Sequence, residues 1–265
     1  MRIGIVVRNM GPQAEAETLA SSARVAEEAG LDSIWVVDHV AIPPDDAEGS
    51  GGRYLDPLAT LAFLAGCTRR IGLGTSVLVL PYRPALPTAK WIATVQELSG
   101  GRLLLGVGAG WMAPEFRALG VERSRRGALT DEVLTLLERC FADDEVEWNG
   151  QRFLFRPRPP RPPILVGGAP PQAIRRAARF GAGWMPMGGE PEDLAPHVRE
   201  LRAQVPDAEV VVLTALPLDD PAQARRRLDA YRDAGVTRVV HGAGRVDLDG
   251  FARAVDGLAA LTDAG

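Results

Sequence analysis

The sequence predicts a (β/α)8 TIM barrel with a hairpin inserted before its fifth strand. Three observations carry that expectation. Eight short β-type runs alternate with about eight helical patterns, the helix-to-strand junctions repeat one another, and 265 residues suit such a barrel. The junctions read E-E-A-G-L-D-S-I-W-V at 27–36, R-D-A-G-V-T-R-V-V-H at 232–241 and, more loosely, A-R-F-G-A-G-W-M at 178–185. Each has a glycine that stops the helix and an apolar lead into the strand. An open doubly wound sheet is the alternative, but no single phosphate fingerprint marks a switch point for it.

The first strand is the β-branched run 3–7, and apolar residues at helical spacing over 13–29 close at Gly30. A second strand, 33–37, ends on Asp38-His39 and feeds a loop at 42–52 rich in Pro, Gly and Asp, a candidate lid. Asp56-Pro57 starts a helix to about residue 68, since Asp accepts free first-turn N–H groups and Pro has none to satisfy. The third strand, 71–80, is interrupted by Gly72 and Gly74, and a helix over 84–98 closes at Gly100-Gly101. Next comes R-L-L-L-G-V-G-A-G-W at 102–111, whose continuous apolar run suits a strand buried on both faces. Gly106, Gly108 and Gly110 weaken that strand, so either a flat ligand or backbone comes close to them or they relieve crowding inside a closed barrel. Trp111 stands where a dinucleotide fingerprint needs its last glycine, so that motif fails.

Helical stretches at 113–119 and 129–141 follow. Val146, Trp148, Phe153 and Phe155 around Asn149-Gly150 spell a hairpin with a two-residue turn. The stiff Arg/Pro segment 156–163 returns the chain to a buried strand at 164–166. Gly167-Gly168-Ala169-Pro170-Pro171 opens a helix that ends at Gly181. Strands at 184–187, 210–215 and 237–241 then alternate with helices beginning at Pro191, Pro221 and Leu248.

Composition narrows the function. Hydrophobic residues are 46% and charged residues 24%, the balance of an ordinary globular chain, so one domain over 1–265 and no membrane span are expected. A net charge of -4 leaves no footprint for nucleic acid. Lys90 is the only lysine and falls within a helix, which removes Schiff-base chemistry at a strand end. Cys67 and Cys140 lie in apolar helical patterns, so no disulfide framework and no metal site are expected. The first residues already read as a strand, no leader is expected, and the expected location is the reducing cytoplasm.

In a barrel, function belongs at the C-terminal strand ends. These are Arg8-Asn9, Asp38-His39, 75–80, 108–111, Gly167-Gly168, Met187-Gly188, 214–216 and His241-Gly242. The strands carrying His39 and His241 both neighbour the first strand, so these two of the three histidines can face each other, while His197 reads as a surface residue. Asp38 alternatively serves only to bond loop backbone. Gly167-Gly168 before a helix suits an anion such as phosphate, or merely a tight turn. No paired carboxylates suggest glycoside hydrolysis, no Gly-x-Ser-x-Gly suggests acyl transfer, and no Glu or Lys base at a strand end suggests cofactor-free isomerisation. A pocket so poor in acid, base and metal ligands points to a cofactor that carries the reaction.

I-W-V-V-D-H-V at 34–40, I-G-L-G-T-S-V-L at 71–78, L-S-G-G-R-L-L-L-G-V-G-A-G-W at 98–111, E-F-R-A-L-G at 115–120, R-G-A-L-T-D-E at 126–132 and P-P-I-L-V-G-G at 162–168 span nearly the whole chain. Together they resemble the luciferase-like monooxygenase superfamily and, within it, the deazaflavin-dependent oxidoreductases. The resemblance implies a (β/α)8 barrel with the insertion at 145–156 and a flavin or deazaflavin ring in the barrel mouth. It implies that Ser76, Val77, Gly108 and Ala109 line the ring, that Gly167 and Gly168 approach its side chain and phosphate, and that Asp38 and His39 flank the reacting carbon. It also implies a non-prolyl cis peptide at Ser76-Val77 or one bond earlier. The sugar-phosphate dehydrogenase branch has an acidic glutamate at the position of Trp111 and lysines this chain lacks, so that activity is not expected.

The expected activity is therefore hydride transfer between coenzyme F420, a deazaflavin, and a small organic substrate. The nearest rival is an FMN-dependent monooxygenase on the same scaffold; a non-catalytic flavin-binding protein is a third reading, whose mark would be a pocket filled by Trp111 or by the lid. His39 is the expected proton-exchanging group, because an imidazole near its ordinary pKa of about 6.5 can give or take a proton at neutral pH. Trp111 and His241 are expected to contact substrate, and relatives of this kind are often homodimers.

Overall fold

The computed structural model describes residues 1–262. Its strands are β1 (Arg2–Val6), β2 (Ser33–Val36), β3 (Gly72–Val79), β4 (Leu103–Gly108), β5 (Glu145–Trp148), β6 (Gln151–Leu154), β7 (Ile164–Gly167), β8 (Gly183–Met185), β9 (Val211–Thr214) and β10 (Arg238–His241). The helices between them are α1 (Ala16–Glu28), α2 (Pro57–Cys67), α3 (Ala85–Leu98), α4 (Ala113–Ala118), α5 (Arg126–Ala142), α6 (Gln172–Arg179), α7 (Pro191–Arg202), α8 (Pro221–Asp233) and α9 (Leu248–Thr262). Eight parallel strands run in the order β8-β7-β4-β3-β2-β1-β10-β9, and a parallel bridge between Trp184 and Val210 joins the two ends. The Trp184 N–H donates to the Glu209 carbonyl at 2.9 Å across that seam. The expected (β/α)8 barrel is thus present. Among the described residues no helix is long and apolar enough to cross a membrane.

Alternation along the strands sorts side chains into two layers. Ile3 and Ile5 of β1, Ile34 and Val36 of β2 and Val239 of β10 join the large core against the helices. Val6, Trp35, Leu165, Met185, Val211 and Val240 form a separate cluster drawn from strands alone, the filling of the barrel. Trp35 dominates it, fully buried, with its indole N–H on the Ser33 hydroxyl at 2.9 Å. A Cβ on Gly4 would lie 2.7 Å from that indole nitrogen, and one on Gly74 would overlap the ring itself. Those two glycines are what the large side chain requires. Below it Arg238, only 3% exposed, bonds Asp32 at 2.7 Å and lies 2.6 Å from Glu209 as an ion pair without hydrogen-bond alignment.

The inserted hairpin is β5–β6, antiparallel, with Asn149 at φ 50° and Gly150 at φ 75°. Positive φ at both turn residues is the type I′ geometry that matches strand twist, which is why Asn-Gly signalled it. In β3 the register against β4 slips between Thr75 and Leu78, and the Ser76–Val77 peptide is cis, where the resemblance put it. Several element ends shift by up to three residues; the helix expected over 129–141 begins at Arg126, its first turn opening on Arg126 and Gly127 ahead of the apolar period.

Two glycines of similar appearance in the sequence behave oppositely in this packing. Gly66, exposed near the end of α2, has open space at its Cβ position, so Gly66→Ala should stabilise by about 0.5–1 kcal/mol through helix propensity. A Cβ on buried Gly106 would run into the Thr75 carbonyl oxygen, a backbone atom that cannot swing away. Gly106→Ala should therefore cost about 3 kcal/mol or more in urea denaturation, and a neutral result would contradict this packing.

Candidate active site

The C-terminal ends of β2, β3, β4 and β7, with the start of α6, enclose a cavity of about 610 Å3. Asp38, His39, Ser76, Val77, Gly108, Ala109, Trp111, Gly167 and Gly168 all line it, so the structure brings nine sequence-derived candidates together. The register slip in β3 delivers Val77 to the cavity floor. Gly108 and Gly167 flank it: an added Cβ would meet Val77 Cγ2 at 2.6 Å or Val77 Cγ1 at 2.8 Å. These glycines therefore clear room for the valine, and the valine presents a flat apolar shelf. Crowding accounts for Gly110 as well, where Val79 Cγ1 lies 2.7 Å from a built Cβ. Ser76 is buried and its hydroxyl points to the Val36 carbonyl at 3.4 Å.

One end of the cavity is lined by glycine backbone and arginines. Gly168 sits at φ 122° with nothing nearer its Cβ position than Ala173 Cβ at 3.8 Å, a conformation few side chains adopt. Pro170 and Pro171 have no N–H, so Gly168, Ala169 and Gln172 supply the donors at the start of α6. Arg126 and Arg176 line the same end. Arg176 is tied to Asp131 at 2.6 Å, whereas Arg126 bonds only the Arg123 carbonyl at 3.1 Å and pairs with no carboxylate among the described residues.

At the other end stand two buried carboxylates. Asp38 accepts both guanidinium nitrogens of Arg83, at 2.6 and 2.8 Å, and the Val79 N–H at 2.8 Å. Burial opposes charge on Arg83, but its bonds and attraction to Asp38 and then Asp56 raise its pKa above the ordinary value. Asp38 thus anchors the loop after β3 through these three bonds. Glu115 of α4, with no exposed surface, lies 2.8 Å from His39 Nδ1 and accepts the Tyr82 hydroxyl at 2.9 Å and the N–H groups of Val40 at 2.6 Å and Ala41 at 2.9 Å. Burial alone would raise the Glu115 pKa; the Ala41 and Val40 N–H groups, His39 and Tyr82 outweigh it and hold the carboxyl below its usual range. Burial, then Glu115, push the Tyr82 hydroxyl well above its usual pKa.

His39 stands in this arrangement with its ring edge-on to Tyr54, 5.0 Å between centroids, and to Trp111 at 6.3 Å. Trp111 is 67% exposed, so it borders the cavity without filling it. His241 does not reach the cavity. Val240 faces the barrel interior, and the two-residue strand period sends His241, in register with Ile5, to the helix side. There its Nδ1 accepts the Leu216 N–H at 3.0 Å, and burial lowers its pKa to about 4. The expected substrate contact is replaced by a satisfied structural imidazole. Glu115, Tyr82, Arg83, Arg126 and Arg176 were not among the candidates, although Glu115 and Arg126 each open a stretch that carries the resemblance.

His241 makes stability depend on pH with a definite sign. Unfolded, the imidazole protonates near pH 6.5, while the folded ring resists protonation to about pH 4. The unfolded chain binds the proton first, so this contribution is complete above pH 6.5 and is lost as pH falls toward 4. In His241→Gln, which keeps an acceptor but cannot titrate, the loss of denaturation free energy between pH 7 and pH 4 should be smaller by about 3 kcal/mol. Parallel stability curves for the two proteins would contradict the assignment.

An F420-dependent glucose-6-phosphate dehydrogenase of Kineococcus radiotolerans is 34% identical over 198 residues, 69% of this chain and 57% of that protein. Two solved structures share the fold: a monooxygenase from Streptomyces bottropensis, with TM-score 0.82, 23% identity and 98% of both chains covered, and an F420-dependent secondary alcohol dehydrogenase bound to an F420-acetone adduct, with TM-score 0.81, 16% identity and 98% of this chain and 97% of that one covered. The family described as luciferase-like monooxygenase matches residues 1–257, and the chain belongs to it.

Proposed function

We propose that this protein is an oxidoreductase that moves a hydride between coenzyme F420 and a small organic substrate. The observation that carries the reading is a single cavity with three consecutive parts: the Gly168–Arg126 anion end, the apolar Val77 shelf, and His39 beyond it. A deazaflavin has the matching parts, a phosphate-bearing side chain and a flat ring. The family and the deazaflavin-dependent relative support it. When bound, the cofactor supplies the carbon that gives or takes the hydride.

The chain's own residues do the rest. N–H groups at Gly168 and Ala169, with Arg126 and Arg176, hold a phosphate; a preformed donor set of this kind loses little on binding. Val77 backs the ring, and His39 exchanges the substrate's proton on the open side. Trp111 borders that side. The glucose-6-phosphate reaction is not the one proposed: Trp111 occupies the place of the acid that reaction uses, and Lys90, far along α3, is the only lysine. The reading includes a single catalytic domain over 1–265 and a cytoplasmic site of action, consistent with the free thiols of Cys67 and Cys140.

The FMN-dependent monooxygenase reading is favoured by the likeness to the Streptomyces bottropensis structure and separates cleanly by experiment. Titration of the protein with oxidised F420 and with FMN should show at least about tenfold tighter binding of F420, and the reduced complex should not consume oxygen. Equal or tighter FMN binding with oxygen-dependent turnover would transfer the assignment to the monooxygenase.

A further inference from the structure

The four hydrogen bonds to Glu115 use up its acceptor capacity. Oε2 lies 2.8 Å from His39 Nδ1 and accepts the Tyr82 hydroxyl, while Oε1 accepts the Val40 and Ala41 N–H groups. A carboxylate has about four lone-pair positions and no proton to give. The Ala41 and Val40 N–H groups and the Tyr82 hydroxyl favour the charged carboxylate, which leaves Nδ1 of His39 to be the donor to Oε2. The two backbone N–H groups cannot reverse, and they fix Oε1 as an acceptor. Buried with no exposed surface, the group keeps its charge only because all four donors face it.

From this we infer that Glu115 is a positioning residue that keeps a proton on Nδ1 of His39, so that Nε2 is the atom through which His39 exchanges the substrate's proton. The inference rests on the reading of His39 as the proton-exchanging residue, and it adds which atom acts and what compels it. Of the titratable groups around the ring, namely Asp38, Tyr54, Tyr82, Arg83, Glu115 and Arg126, only Glu115 bonds it. Asp38, one residue away, is committed to Arg83 and Val79. Nε2 has no hydrogen-bond partner among the described residues, and the ring borders the cavity. In the neutral ring the lone pair on Nε2 therefore faces the open side. A proton leaving a substrate hydroxyl forms the N–H bond there, the substrate oxygen keeps the bonding pair, and the imidazolium sits against the Glu115 carboxylate. In the reverse direction the same Nε2 proton is returned, and Nδ1 keeps its own throughout.

The tautomer can be read without cofactor or substrate. Protein labelled with 15N in its three histidines gives long-range proton–nitrogen spectra, and loss of one set of signals in His39→Gln assigns that residue. At a pH where the His39 ring is neutral, Nδ1 should carry the proton over Nε2 by about tenfold or more, since a hydrogen bond to a charged acceptor favours that tautomer strongly. Tyr82→Phe, which removes one donor and leaves the carboxylate, should keep it. In Glu115→Gln the preference should be lost or reversed, because the amide can turn a donor toward Nδ1. Should that variant not fold, the wild-type and Tyr82→Phe spectra decide alone. A neutral His39 with its proton on Nε2 in the wild type would overturn the inference even if F420 binds, whereas failure to bind F420 would sink the proposed function and leave this tautomer untouched.

Discussion

The slip in register between Thr75 and Leu78 is the feature on which the mouth of this barrel is built. Regular pairing would send side chains alternately inward and outward and fill the top of the barrel as Trp35 fills its lower part. The bulge instead delivers Val77 to the mouth, against glycines of the adjoining β4 and of β7 beyond it, Gly108 and Gly167. A shelf replaces a plug. Further along, the Asp38 carboxylate clamps the end of the same strand through the Val79 N–H and Arg83, so the shelf cannot drift. Packing and electrostatics act on one short segment, and the cavity is what they leave open.

Asp38 and Glu115 show how burial assigns roles to like groups. Both are buried, and each accepts several hydrogen bonds. The partner of Asp38 is a guanidinium that never gives up its charge, so the pair is structural. Glu115 is partnered by an imidazole and a phenol, groups that can titrate, and one of them borders the cavity. Adjacent positions just after β2 thereby differ: Asp38 is bound into structural support, while His39 borders the cavity.

The barrel was legible because period-two and period-3.6 patterns are local, as at Ile3, Ile5 and the Asn149-Gly150 turn. The site was only partly so. Strand ends named the right region, yet a strand-end position does not say which way its side chain points; His241 is off by one step of alternation. The glycines at 106, 108 and 110 admit either close approach of backbone or a flat ligand, or relief of crowding; backbone approach holds at Gly106, against the Thr75 carbonyl, and side-chain crowding at Gly108 and Gly110. Glu115 left no local mark, since its partners lie 33 to 76 residues away on two other elements. Arg83 likewise reads as an ordinary turn residue until Asp38 and Asp56 are brought to it by the fold.

The most direct measurement is a crystal structure with oxidised F420 bound. The ring should lie in van der Waals contact with Val77, about 4 Å away, with its phosphate on the N–H groups of Gly168 and Ala169 and on Arg126, and His39 on its open side. A ring seated elsewhere, for instance in the separate groove bounded by Arg8 and Arg245, would contradict the assignment of this cavity.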